Sequence, residues 1–342
     1  MELININIVE RMEHYHVTGL SMAMINNSKQ SRTTSYGLLE KGTNNHVKDG
    51  SIFNACSISK FLTSMLVMKI VEQGDFDLDE DVNKKLTSWK VPDNTFTVDK
   101  KVTLRLLLSH QSGVMDPPGS FDELNFVYGE PRMVELLKGR TPYCRETIEV
   151  KFEPGSDFHY SDAGYCIIQL LIEDSFKKPF KQVMKEQVFD PLGMTNSTFD
   201  QIECKEFSSG HNKNGEALEY KYSVYPYPAA SGLWTTPTDL ALLVIELMDS
   251  LKDESKAGLT VYSAKEMIQA QGCKEWTGLG VFLDESERGL EISSLGWGRG
   301  FQCMMIASPY LETGAVIMTN TDLGVHQLEG IIGEIYQDLK SI

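Results

Sequence analysis

The sequence predicts an α+β fold: an antiparallel sheet assembled from both chain ends and flanked by helices, with an all-helical lobe inserted in its middle. Three observations predict it. Apolar runs of strand length lie near both ends of the chain. The stretch from about 77 to 200 shows helical spacing. Residues 61–73 are apolar almost all round, as a helix buried between layers must be. On this reading residues 1–76 and 206–342 form an α/β lobe, residues 77–205 form a helical lobe, and a site lies in the cleft between them.

Taken in order, a short helix is expected at about 3–14. Strands follow at 18–25 and 31–39, separated by the turn-forming Asn26-Asn27-Ser28. The buried helix comes next and is stopped by Gly74, a residue that accepts the left-handed conformation at a helix end. Helices are expected at 103–109 and 162–173 within the middle segment, and at 238–250 after Gly232. Strands return at 278–283, 290–294, 301–308 and 314–319, and a helix at 328–339 closes the chain. Neither internal repeats nor low-complexity segments interrupt this order.

A chain of 342 residues with 41 % hydrophobic content can bury a sizeable core in two lobes. The formal net charge of −16 speaks against nucleic acid or an anionic membrane as partner. Cys56, Cys144, Cys166, Cys204, Cys273 and Cys303 are scattered without a C-x-x-C pair, so neither a disulfide framework nor a metal site is expected, and no cofactor is implied. The start Met1-Glu2-Leu3-Ile4-Asn5 lacks a basic segment followed by a long apolar run. No stretch approaches the roughly 20 apolar residues of a membrane span. The expectation is a soluble, cytoplasmic chain of undefined oligomeric state.

Chemistry concentrates in three places. Ser57-Ile58-Ser59-Lys60 puts a hydroxyl and an amine on one face at the start of the buried helix, where a neutral lysine can take the serine's proton. The same spacing in Ser175-Phe176-Lys177-Lys178 reads as a solvated turn. Tyr160-Ser161-Asp162 follows the Pro154-Gly155 turn and leads into an apolar helix. Ser294-Leu295-Gly296-Trp297-Gly298-Arg299-Gly300-Phe301 opens a strand near the C-terminus.

In this order the chain resembles the superfamily of serine β-lactamases, penicillin-binding proteins and family VIII esterases, whose pattern is S-x-x-K, then Y-x-N, then a K-T-G or H-x-G strand. Further segments carry the likeness: Leu106-Leu107-Leu108-Ser109-His110-Gln111-Ser112-Gly113, Asp190-Pro191-Leu192-Gly193-Met194, and Ala230-Ser231-Gly232-Leu233-Trp234-Thr235-Thr236 with Asp239-Leu240. The resemblance implies a β-lactamase/transpeptidase-like fold and a class C-like serine hydrolase. In it Ser57 is the acylated nucleophile, Lys60 its proton acceptor, and Tyr160 a phenol that shuttles protons and activates water. The backbone N–H groups of Ser57 and Trp297, the latter following Gly296, would form the oxyanion hole.

Two departures bear on substrate. Asp162 stands where most relatives carry Asn; a carboxylate facing Lys60 would hold it charged, unless it turns away. Ser294 stands where the third motif carries Lys or His, so the cation that holds substrate carboxylates in relatives is missing. The implied substrate is therefore a small ester or amide, with carboxylesterase the leading activity. A D-amino-acid peptidase or weak β-lactamase is the alternative, and a non-catalytic scaffold or ligand sensor is the rival from another class. His110 and His159 read as structural histidines and Cys56 as a packing residue. Asp75, Asp77, Asp79 and Asp81 read as a solvated acidic turn. Tyr222, Tyr225 and Tyr227 either line a cleft or pack a loop.

Overall fold

A computed structural model describes residues 5–200 and 206–340. Helix α1 (Ile8–Tyr15) precedes the hairpin of β1 (Gly19–Asn26) and β2 (Lys29–Gly37), turned at Asn27 and Ser28 as expected. After β3 (Phe53–Asn54) a short 3₁₀ turn, Cys56–Ile58, runs into α2 (Ser59–Glu72). The middle of the chain carries α3 (Leu104–Leu108), α4 (Met133–Leu137), α5 (Asp162–Phe176), α6 (Phe180–Met184) and α7 (Asp190–Leu192). Then come β4 (Trp234–Thr235), α8 (Pro237–Ser250), α9 (Val261–Met267), β5 (Phe282–Ser286), β6 (Gly289–Gly298), β7 (Phe301–Ser308), β8 (Thr313–Thr319) and α10 (Ile331–Lys340).

The main sheet has the order β2-β1-β8-β7-β6-β5 with every pair antiparallel, so β1 from one chain end pairs directly with β8 from the other. Strand alternation divides the side chains between two apolar layers. Leu20, Met22, Met304, Ile306 and Ile317 face α1 and α10, while Ala23, Ile25, Cys303, Met305 and Val316 face the larger core containing α2, α5 and α8. Both faces being covered, β1 and β7 are nearly continuous apolar runs. Helix α2 is apolar all round because it lies inside that larger core.

Three expectations need correction. Between 77 and 161 only α3 and α4 are α-helical; the rest is irregular chain held by side chain-to-backbone bonds, such as Asn83 Nδ2 to Val91 O and Asn94 Nδ2 to Val150 O. The strand expected at 278–283 begins only at Phe282, because Gly280 takes a left-handed turn (φ +76°) and its N–H is donated to Leu108 O. The acidic run is also not merely solvated: Asp79 pairs with Arg105 at 2.7 Å, and Asp81 caps a 3₁₀ turn. The cysteines among the described residues are free thiols, Cys273 exposed and the others buried; Cys204 lies outside the described residues. Among the described residues no helix is long and apolar enough to cross a membrane.

Candidate active site

The turn preceding α2 is shaped by Cys56, whose positive φ (+47°) is rare for a residue with a Cβ, and whose N–H is taken by Asn54 Oδ1 at 2.8 Å. This sends Ser57 into the first turn, where backbone N–H groups lack helical acceptors. One turn on, Lys60 is only 3 % exposed. Its Nζ donates to Asp162 Oδ1 (2.6 Å), Ala230 O (3.0 Å) and Ser57 Oγ (3.1 Å). Two of these partners, a carboxylate and a carbonyl, can only accept, and three acceptors suit the three donors of an ammonium. Burial alone would push Lys60 down. The Asp162 carboxylate and the nearby Tyr160 phenol outweigh burial and raise it well above the ordinary lysine value. Lys60 is thus not the neutral amine that its spacing from Ser57 suggests.

Tyr160 lies by the same amine, its ring centroid 4.8 Å from Lys60 Nζ, and its ring stacks on His110 at 4.2 Å. It is 43 % exposed, and its phenol is near enough to Lys60 to act on its charge. His110 accepts the Ser161 N–H on Nδ1 (3.1 Å), a structural role that fixes its tautomer. Burial, and then the Lys60 charge, hold His110 neutral, well below the usual histidine range. His159 stacks on Phe152. Cys56 is buried and packs under the turn.

Asp162 owes its place to a carboxylate that sequence spacing does not reveal. Asp116 accepts from Ser161 Oγ, Asp162 N and Ala163 N, each at 2.9 Å, and so clamps the first turn of α5. Burial, and then the Asp162 charge, raise the Asp116 carboxyl, while the three donors offset part of that rise. The sequence signal is only an aspartate before Pro117-Pro118.

Strand β6 closes the site from the other side. A Cβ on Gly296 would stand 2.3 Å from both Ala55 O and Cys303 Sγ, and one on Gly298 would stand 2.8 Å from Cys56 Sγ and Tyr225 Oη. Only glycine lets the strand lie this close to the Ser57 turn. Gly298 and Phe301 close a two-residue hairpin, so ladder alternation turns the Trp297 N–H away from β7. It faces the edge that β5 leaves open beyond Ser293. The Trp297 indole swings outward and donates to Asp322 Oδ1 at 2.8 Å. Tyr225 Oη accepts the Arg299 N–H at 3.0 Å beside the site, whereas Tyr227 is a buried packing residue donating to Asp122 O and Tyr222 packs edge-on against Trp234.

Ser294, 5 % exposed, shares the face of Gly296 and lines a narrow slot together with Ser57, Lys60 and Tyr160. The guanidinium of Arg299 is met by Glu123 at 3.5 Å. The structure thus gathers Ser57, Lys60, Asp162, Tyr160, Ser294, Gly296 and Trp297 around one cleft.

Known proteins share this fold. The octameric penicillin-binding protein homologue from Pyrococcus abyssi superposes with a TM-score of 0.77 at 19 % identity, covering 96 % of this chain and 75 % of that one. A β-lactamase/D-alanine carboxypeptidase from Yersinia pestis, complexed with citrate, gives 0.75 at 19 % identity over 98 % and 96 %. Protein flp of Staphylococcus aureus (strain MRSA252) is 24 % identical over 223 residues, 65 % of this chain and 42 % of that protein. The chain spans about half the length, or less, of the curated relatives it matches. The family model described as Beta-lactamase matches residues 4–331, nearly the whole sequence, and the chain belongs to that family.

Proposed function

We propose that this protein is a serine hydrolase that passes the acyl group of a small ester to Ser57 and then to water, in the manner of a carboxylesterase. The observation that carries the reading is the 3.1 Å contact of Lys60 Nζ with Ser57 Oγ beneath a strand edge that offers the Trp297 N–H. Once Lys60 has lost a proton, it takes the one from Ser57 as Oγ attacks the carbonyl carbon. The N–H groups of Ser57 and Trp297 receive the oxyanion. Lys60 and Tyr160 return the proton to the departing oxygen, and the same pair then draws a proton from the water that releases the acid.

Ser294 favours esters over peptides. A D-amino-acid peptidase, of which the D-alanine carboxypeptidase named for the Yersinia pestis neighbour is an example, must hold a terminal carboxylate. Here the third-motif position supplies a hydroxyl, and Arg299 is already paired with Glu123. A fluorophosphonate probe tests the reading and its non-catalytic rival together. The wild-type protein should label at Ser57, and Ser57→Ala should lose labelling and, on the order of 10³-fold or more, kcat. Labelling that persists in the alanine variant would overturn the assignment.

A further inference from the structure

The slot beside Ser57 bears on which half of the substrate departs. Its lining brings Ser57, Lys60, Tyr160 and Ser294 together with the apolar Leu108, Phe158, Val281 and Phe282. Its surface is predominantly apolar and its free space is small. Part of the wall is anchored in the core. Leu108 and Val281 belong to the larger core, and Phe158 packs edge-on against both Trp276 (4.6 Å) and His110 (5.7 Å). Among the described residues Lys60 is the one cation in the lining and is engaged by Asp162; burial holds His110 neutral.

A leaving group must stand next to whatever protonates it. In the hydrolase reading, on which this step rests, Lys60 and Tyr160 deliver that proton, and both border this slot. We infer that the slot receives the alcohol half of the ester, and that this alcohol is small and uncharged, of one or two carbons. The Ser57 Oγ–C bond forms as the C–O bond to the alkyl group breaks, and the proton lost by Ser57 leaves on the alcohol. Water then cleaves the acyl-enzyme, giving a carboxylic acid and restoring the hydroxyl. A longer alcohol meets Phe158 and Phe282. A charged one meets an apolar wall with no free counter-ion.

The test is a set of butyrate esters differing only in the alcohol (methyl, ethyl, n-butyl and carboxymethyl), followed by acid release, with fluorophosphonate labelling in parallel. The methyl and ethyl esters should exceed the n-butyl and carboxymethyl esters by roughly tenfold or more in kcat/KM. Phe282→Ala should raise the n-butyl to methyl ratio by a similar factor, and Phe158→Leu serves the same purpose if the first variant does not fold. Labelled protein with a flat or rising dependence on alcohol size overturns the inference alone, as does labelled protein that turns over neither the methyl nor the ethyl ester. An unchanged ratio in the folded wall variant removes the alcohol from the slot and overturns it too. Loss of both labelling and turnover overturns the hydrolase reading, and the inference with it.

Discussion

Asp162 Oδ1 stands 2.6 Å from Lys60 Nζ, closer than the Ser57 Oγ at 3.1 Å, so the amine is bound more tightly to the carboxylate than to the hydroxyl it would deprotonate. The carboxylate does not turn away, and the charged state of Lys60 is its resting state. Because the pair is largely shielded from solvent, the attraction is weakly screened.

Activity should therefore rise toward alkaline pH, since Lys60 accepts a proton only after losing one and Asp162 raises the pH at which it does. Asp162→Asn removes the opposing charge and leaves burial, which favours the neutral amine. The limb of kcat/KM should move to lower pH by about one unit or more. A pH–rate profile of both proteins on one neutral ester checks this, and an unmoved limb would contradict it.

Gly296→Ala should separate β6 from the Ser57 turn, because the added methyl would sit 2.3 Å from a backbone oxygen that cannot yield as a side chain can. The expected stability loss is about 1–3 kcal/mol. Displacing the Trp297 N–H should lower kcat by on the order of 10²-fold with KM changed less. Thermal melts and steady-state kinetics on the same preparation separate the two effects.

Asp116→Asn supplies one acceptor oxygen where two oxygens now meet three donors, so its amide NH₂ must face an N–H or a hydroxyl. A loss of about 1–3 kcal/mol is expected from the donors left unpaired. Thermal denaturation near neutral pH measures it. A variant as stable as the wild type would show that the clamp on α5 contributes little.

Ester turnover should exceed cephalosporin turnover. A substrate carboxylate forfeits a charge-assisted bond of about 1.5–3 kcal/mol at Ser294. That is roughly ten- to a hundredfold in kcat/KM. Parallel assays with nitrocefin and a short alkyl ester test it, and equal rates would count against the ester reading.

The strands that face two apolar layers were the most legible parts of the fold: β7 carries its apolar run over 301–308, as its composition predicts. The two-stranded pairing of Phe53–Asn54 with Trp234–Thr235 was not legible, since two residues show no period. Nor was the irregular middle, where amide side chains replace helical bonds and leave no apolar spacing to read. In the site, Ser57 and Lys60 share a helix turn and announce themselves. Asp116 reaches Asp162 from 46 residues away, and only tertiary structure reveals that contact.

The contact of Cys303 Sγ with Ala55 O spans 248 residues, and β1 awaits β8 across most of the sequence. Synthesis from the N-terminus delivers the Ser57 turn long before β6 and β7 leave the ribosome, and such distant pairings form slowly. Until those strands dock, the hydroxyl and amine exist without the N–H edge that Trp297 brings. A half-made chain thus carries Ser57 and Lys60 without a finished cleft, which is complete only when the last strands of the sheet arrive.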